Sequence, residues 1–163
     1  LEMSFVEEAD ILELMERLYV QVVEMVAPGK RLLKPFPRLT YAESMAKYGC
    51  DKPDMRFGMF LADLSDIGGR SGFEVFRSAV QYGGVVKGLA APGCAGYSRK
   101  QTEELVDFAR TRGAKGLVTI ALMGDGKTVD DLQAEDVRSV VTRHMSIEEI
   151  REIALRTGAK ELY

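Results

Sequence analysis

Glu74-Val-Phe-Arg-Ser-Ala-Val-Gln-Tyr-Gly-Gly-Val-Val-Lys-Gly-Leu-Ala90 is the stretch whose reading decides the fold class. Two apolar-rich halves flank the pair Gly83-Gly84. A diglycine between short apolar runs signals a tight hairpin, because a two-residue turn needs positive φ. Residues 74–80 and 85–90 are therefore predicted as antiparallel strands. Two further apolar runs, 57–63 and 117–123, are predicted as strands as well.

Helices are signalled around them. Residues 7–26 place Ile11, Leu14, Met15, Leu18, Val22, Met25 and Val26 on one helical face, and Pro28-Gly29 ends the run. Thr40 with Glu43, Ser98 with Gln101 and Ser146 with Glu149 each spell a capping box. Gly49, Gly113 and Gly158 supply the matching stops. The first box opens a short helix over 41–48. The second carries a stripe of Leu105, Phe108 and Ala109, expected to be buried, and the third carries Ile147, Ile150, Ile153 and Ala154. A further helical turn or two is expected between Leu132 and Met145. Residues 30–39, with two prolines and four cations, read as an extended linker. The order strand, strand, strand, helix, strand predicts an α+β fold: a two-layer sandwich with a mostly antiparallel sheet, covered by helices on one face.

The totals exclude several classes. The 163 residues suffice for one ordinary core, and 46% hydrophobic with 29% charged residues is a globular composition. A net charge of −3 exerts no global pull on nucleic acid, so any such contact needs a local basic patch. No apolar stretch approaches the roughly 20 residues of a membrane span, and no signal peptide is seen. Cys50 and Cys94, far apart, read as reduced thiols of a cytoplasmic protein. His144 is the single histidine, which excludes a multi-histidine metal site, and no metal ligands are assigned. A chain beginning with Leu1 suggests a piece of a longer protein.

Ala121-Leu-Met-Gly-Asp-Gly-Lys-Thr128 is spelled like a loose phosphate loop. Such a loop needs a helix whose positive end faces the phosphate. Here Asp130, Asp131, Glu135 and Asp136 come next and would repel it. A Gly-Asp-Gly turn closing a strand pair is the preferred reading, and a small nucleotide-binding enzyme rests on this stretch alone. The carboxylate pairs Glu7-Glu8, Glu103-Glu104 and Glu148-Glu149 fall in predicted first helical turns, where they complement the helix dipole. One histidine without a nucleophile motif gives no triad.

Two stretches carry more information. Asp51, Lys52, Pro53, Asp54 and Arg56 arrange acids and bases around a proline after a helix stop. So polar and stiff a stretch is a connector fixing how two units dock, or else a binding loop. Arg99 and Lys100 stand in a first helical turn, where cations oppose the dipole. They are ordinary surface charges, or with the helix N–H groups they hold a phosphate.

Leu1-Glu-Met-Ser-Phe-Val6, Pro35-Phe-Pro-Arg-Leu-Thr-Tyr-Ala-Glu43, Tyr48-Gly-Cys-Asp-Lys-Pro-Asp-Met-Arg-Phe57, and Ser98-Arg-Lys-Gln101 with Gly113-Ala-Lys-Gly-Leu117, resemble bacterial-type aspartyl-tRNA synthetase in the same order. The resemblance covers nearly the whole chain. It implies that Leu1 to Val6 is the end of class II motif 2, a catalytic-sheet strand, a reading that competes with a capping box of Ser4 and Glu7. Glu2 would then be the one remaining active-site neighbour. It also implies that residues 1–56 are an edge of the catalytic domain and 57–163 the GAD insertion domain with its return segment. The activity implied is ATP- and magnesium-dependent attachment of aspartate to tRNA by a cytoplasmic homodimer. The motif 2 arginine, motif 3 and the anticodon-binding domain do not occur in these residues, so the piece itself is expected to be inactive and to bind neither ATP nor Mg. Its expected partners are the acceptor arm of tRNA, through Arg99 and Lys100, and the remaining catalytic domain. The alternative is the tRNA-binding GAD module of a tRNA-dependent amidotransferase, against which the motif 2 context of Glu2 argues.

Overall fold

The computed structural model of the chain describes residues 2–124 and 126–159. By compactness it divides into two units, Leu1–Thr40 and Tyr41–Tyr163.

The first unit is built on helix α1, Glu8–Val26. The Glu7 amide donates to the Asp10 carboxylate at 2.9 Å, and Glu8 and Asp10 put negative charge against the positive end of the helix. The capping box lies at Glu7 and Asp10, three residues on from the competing reading at Ser4 and Glu7. Residues 2–7 form no strand: Phe5 is left-handed at φ 57°, and a strand with no neighbour would leave its peptide groups unpaired. The cationic linker has no regular element, as its prolines require, but it folds back along α1. Lys34 forms an ion pair with Glu24, and the Phe36 amide donates to Glu16 at 2.8 Å. Helix α1 buries none of its residues, and Ile11, Leu18, Val22 and Met25 are exposed.

The second unit opens with α2, Tyr41–Tyr48, stopped by Gly49 at φ 72°. The strand expected over 57–63 contracts to β1, Ala62–Asp63. A 3-10 turn at Met55–Phe57 and the left-handed Gly58 interrupt the extended backbone before it. Asp63 then accepts the Ser65 amide at 2.9 Å and starts α3, Ser65–Arg70.

The stretch 74–80 is a helix, α4 at Glu74–Gln81, and not a strand. Phe73, Phe76, Ala79 and Val80 lie three and four residues apart and all pack on the core, while Glu74, Val75 and Arg77 face water. The diglycine closes this helix instead of a hairpin. The Gly83 amide bonds the Val80 carbonyl at 3.0 Å and the Gly84 amide bonds the Ala79 carbonyl at 2.8 Å, the double bond of a Schellman cap, with Gly83 left-handed. After it, the strand expected over 85–90 is only β2, Lys87–Gly88.

Helix α5, Arg99–Thr111, and helix α6, Ile147–Thr157, form as the capping boxes foretold, and both end in the same Schellman pattern at Gly113 and Gly158. Between them β3, Ala121–Leu122, pairs with β4, Val137–Arg138. Short 3-10 helices at Val129–Asp131, Ala134–Asp136 and Val140–Arg143 supply helical turns between 129 and 143.

The strands do not join into one sheet. Among the described residues β1 pairs antiparallel with β2, Ala62 opposite Gly88, and β3 pairs antiparallel with β4, Ala121 opposite Arg138. The α+β mixture therefore stands, while the single mostly antiparallel sheet of the sequence reading is replaced by two short ladders. The core is Leu64, Ile67, Val86, Leu132, Val137, Val141, Met145, Ile150 and Ile153. The α6 stripe lies in it as expected. The α5 stripe does not: Leu105 and Phe108 are exposed, and none of the described side chains packed on this core comes from α5. Gly72, between α3 and α4, touches the chain at His144, where a Cβ would stand 2.4 Å from the carbonyl oxygen. His144 caps the last 3-10 helix with its ring 5.7 Å from that of Phe73, a helix-end role as expected. No helix among the described residues is long and apolar enough to cross a membrane.

Leu132 is wholly buried. Leu132→Ala should cost about 2–5 kcal/mol of stability, through lost transfer free energy and the cavity left behind. Urea unfolding of residues 1–163 followed by circular dichroism measures it, with a lower midpoint and an unchanged slope as the expected result.

Candidate functional site

Residues 49–58 form a closed loop. At its base the Leu61 amide donates to the Lys47 carbonyl at 2.8 Å and the rings of Tyr48 and Phe60 meet edge to face at 5.6 Å. Buried Ser44 donates its hydroxyl to the Cys50 carbonyl at 2.8 Å, fixing the first residues after α2. The charges of the loop are matched among themselves. Asp51 pairs with Lys52 at 3.5 Å, and Asp54 caps the 3-10 turn by accepting the Arg56 amide at 3.1 Å. The Arg56 Nε lies 2.8 Å from Asp54 Oδ1, and Arg56 Nη2 also bonds the same carboxylate. These contacts, the side-chain bond from Arg56 first and its backbone bond second, hold the Asp54 carboxyl at about 2. Pro53 is half-buried, whereas Asp51, Lys52, Asp54 and Arg56 are exposed. The geometry is that of a stiffened surface loop presenting paired charges.

The start of α5 is the second sequence-predicted position. Ser98 accepts the Gln101 amide at 3.4 Å and donates its own amide to Gln101 Oε1 at 2.9 Å. The first turn contains no acid, so Glu103 and Glu104, expected in it, lie one turn further on. Arg99 reaches one turn on to Glu103 at 2.8 Å and is 93% exposed, so water screens this pair and it leaves the cation open to other anions. Lys100 is exposed and in no ion pair among the described residues. The first N–H groups of any helix lack intrahelical acceptors, so α5 offers two cations and open donors at one end. At its other end the Arg112 guanidinium stands 4.2 Å over the Phe108 ring. The connector loop and the α5 start belong to the same compact unit, and no hydrogen bond or ion pair joins their candidate residues among the described residues.

The stretch spelled like a phosphate loop has another use. Lys127 Nζ lies 2.7 Å from both oxygens of Asp136, which is nearly buried and also accepts the Gln133 amide at 2.9 Å. The Asp136 carboxyl is held below its ordinary value, by Lys127 first and the Gln133 amide second. The Lys127 amide closes a turn on the Gly124 carbonyl at 3.0 Å, between β3 and β4, and Asp125 lies outside the described residues. The element after Thr128 is a three-residue 3-10 helix with Asp130 and Asp131 in its first turn. A lysine already bound and a helix start already acidic do not fit a nucleotide phosphate. Among the described residues no three of His, Cys, Asp or Glu converge as metal ligands. Glu2 is exposed and belongs to no regular element. Cys50 and Cys94 are unpaired thiols.

Sequence reasoning missed the long-range ties. Arg156 Nη2 meets Asp66 at 2.7 Å and Arg156 also pairs with Glu152, which bonds Arg70, so a charge chain links α3 with α6. Arg138 donates to the carbonyls of Ala95 and Tyr97, 43 and 41 residues away. No local pattern announces a partner so distant.

The motifs, the closed loop and the α+β unit agree with one class. The family model for class II tRNA synthetases (D, K and N) matches residues 1–152, and the chain belongs to this family. Within it, the chain is 49% identical over 160 residues to an "Aspartate--tRNA(Asp/Asn) ligase" of Dehalococcoides mccartyi, covering 98% of this chain and 27% of that one. Proteins of the same name from Symbiobacterium thermophilum and Moorella thermoacetica are 50% and 44% identical over 155 and 160 residues, or 95% and 98% of this chain. They are covered to 24% and 25%. The chain thus spans about a quarter of the length of the curated relatives it matches. These matches support the synthetase reading and give none to the amidotransferase module.

Two outcomes are expected. Calorimetric titration of residues 1–163 with Mg-ATP should show no binding, and a low-micromolar dissociation constant abolished by Lys127→Ala would contradict this assignment of Lys127. A depressed carboxyl contributes stability above its unfolded value and loses it as pH falls through the folded one. In an NMR titration Asp54 should therefore release its contacts only as pH approaches about 2, and Arg56→Ala should return its midpoint toward the ordinary 3.8.

Proposed function

We propose that the chain is part of an aspartate–tRNA ligase, a cytoplasmic homodimer that uses ATP and magnesium to attach aspartate to tRNA. The observation that carries this reading is the identity of about one half, over nearly the whole chain, to relatives bearing that name. Their names give both Asp and Asn, which supports a parent that also charges asparagine tRNA. Residues 1–56 belong to the edge of the catalytic domain and 57–163 to a GAD insertion with its return segment. The ATP and aspartate chemistry lies in the parent outside this stretch, consistent with Glu2 standing alone and with the misfit of the Lys127 turn to phosphate.

The work of the piece is placement. The α1 face of Ile11, Leu18, Val22 and Met25 docks on the remaining catalytic domain, a reading supported by the exposure of these four apolar side chains. Asp51, Lys52, Pro53, Asp54 and Arg56 form the connector that sets how the insertion leans on the core, and their mutual pairing supports a rigid link. Arg99 and Lys100 contact phosphates of the tRNA acceptor arm, supported by two exposed cations at a helix start without an acid in its first turn.

Phosphate contacts fix position and carry no sequence information. Replacing Arg99 and Lys100 with alanine in the complete enzyme should weaken cognate and non-cognate tRNA alike. It should flatten the slope of log affinity against log salt by about 0.7 to 0.9 for each phosphate released. Superimposable slopes for wild type and variant would remove this face from the RNA interface.

A further inference from the structure

We infer that Arg138 is a positioning residue, which aims the start of α5 by holding the carbonyls of the loop that leads into it. The inference rests on the reading of Arg99 and Lys100 as tRNA contacts for its functional consequence, and on geometry alone for its structural part.

Arg138 has a fixed base. Val137, beside it on β4, is buried in the core, so strand alternation turns Arg138 outward. Its backbone stands opposite Ala121 in the ladder. That ladder is clamped at both ends, by the Met123 amide on the Asp136 carbonyl at 2.7 Å and by the Ser139 hydroxyl on the Thr119 carbonyl at 2.7 Å. From this base Arg138 Nη2 donates to the Ala95 carbonyl at 2.6 Å and the Tyr97 carbonyl at 3.1 Å.

Among the described residues the loop receiving these bonds has only local bonds of its own, Cys94 amide to Ala91 carbonyl at 3.3 Å, Cys94 thiol to Pro92 carbonyl at 3.7 Å and Tyr97 amide to Cys94 carbonyl at 3.1 Å. Helix α5 buries no residue. Thr102, Val106 and Ala109 on one face are half-buried, so its direction depends on its entry together with this partial packing. The peptide linking Tyr97 to Ser98 is planar, so holding the Tyr97 oxygen also orients the Ser98 nitrogen. Ser98 is the cap of α5, and Arg99 and Lys100 are its first two residues. A guanidinium engaged with two carbonyls keeps its charge, and both bonds leave its single Nη2, whose two hydrogens are fixed in the guanidinium plane, whereas a lysine ammonium rotates freely and fixes neither direction.

The test is a double-mutant cycle in the complete enzyme. Arg138→Ala should weaken tRNA binding several-fold and flatten the salt slope. Added to the Arg99→Ala/Lys100→Ala variant it should change neither quantity further, because it acts through that pair. Arg138→Lys should recover little, although it restores the charge. Additive effects, or full recovery with lysine, would make Arg138 a phosphate contact in its own right and overturn the inference, as would a normal slope in Arg138→Ala beside a flattened one in the pair variant. Hydrogen exchange over residues 95–102 of the same enzyme without tRNA is the second measurement. Faster exchange in Arg138→Ala is expected, and unchanged exchange overturns the positioning role. If exchange quickens while neither Arg138→Ala nor the pair variant alters tRNA binding, α5 is positioned as stated and the tRNA reading of Arg99 and Lys100 is what fails.

Discussion

Burial of the inner stripe of α6 is the constraint on which residues 41–163 depend. Ile150, Ile153 and Ala154 lie on one face of that helix, and the pieces that meet them are short: β1, β2, α3 and the irregular run from 129 to 145. None of these could persist alone, since two-residue ladders and single 3-10 turns lack the bonds to offset their ordering entropy. Their side chains Leu64, Ile67, Val86, Leu132 and Val141 are stabilised only by sharing one interior with α6. Polar ties then fix what apolar contact leaves loose. Arg151 donates to the Leu132 carbonyl at 2.6 Å, and the chain Asp66, Arg156, Glu152 and Arg70 spans α3 and α6 at the surface.

Helices are legible in the sequence where caps are written into it. Ser98 with Gln101 and Ser146 with Glu149 act within one turn, so both ends of the interaction lie inside a short window, and α5 and α6 form where these boxes start them. The region from 74 to 90 reads wrongly as a hairpin because two readings fit it. Residues 74–80 are apolar-rich, as a strand beside a diglycine would be, although Arg77 and Ser78 fall on opposite sides of it, yet Phe73, Phe76 and Val80 also repeat at helical spacing. Counting Phe73 tips the balance towards the helix. Gly83-Gly84 fits a hairpin and a Schellman cap equally well, and only the carbonyls of Ala79 and Val80 decide between them.

Of the candidate site, the local charges are legible and their connections are not. Asp54 and Arg56 are two residues apart, and their pairing can be read from the chain. Lys127 and Asp136 are brought together by the β3–β4 ladder, whose register no local motif encodes, and Arg138 reaches Ala95 and Tyr97 from β4 across 43 and 41 residues. The stripe of α5 reads as core and stands exposed, because amphipathic spacing tells which residues share a side and not what that side meets.

The contact of Gly72 with the carbonyl of His144 has an evolutionary consequence. At 2.4 Å from that oxygen no side-chain carbon can be placed, and the obstacle is backbone, which cannot rotate aside as a side chain would. Any descendant that leaves glycine at this place must part the α3–α4 corner from the segment entering α6, and so lose part of the interior they share. Position 72 is thus closed to neutral drift, although it carries no chemistry and lies on the surface.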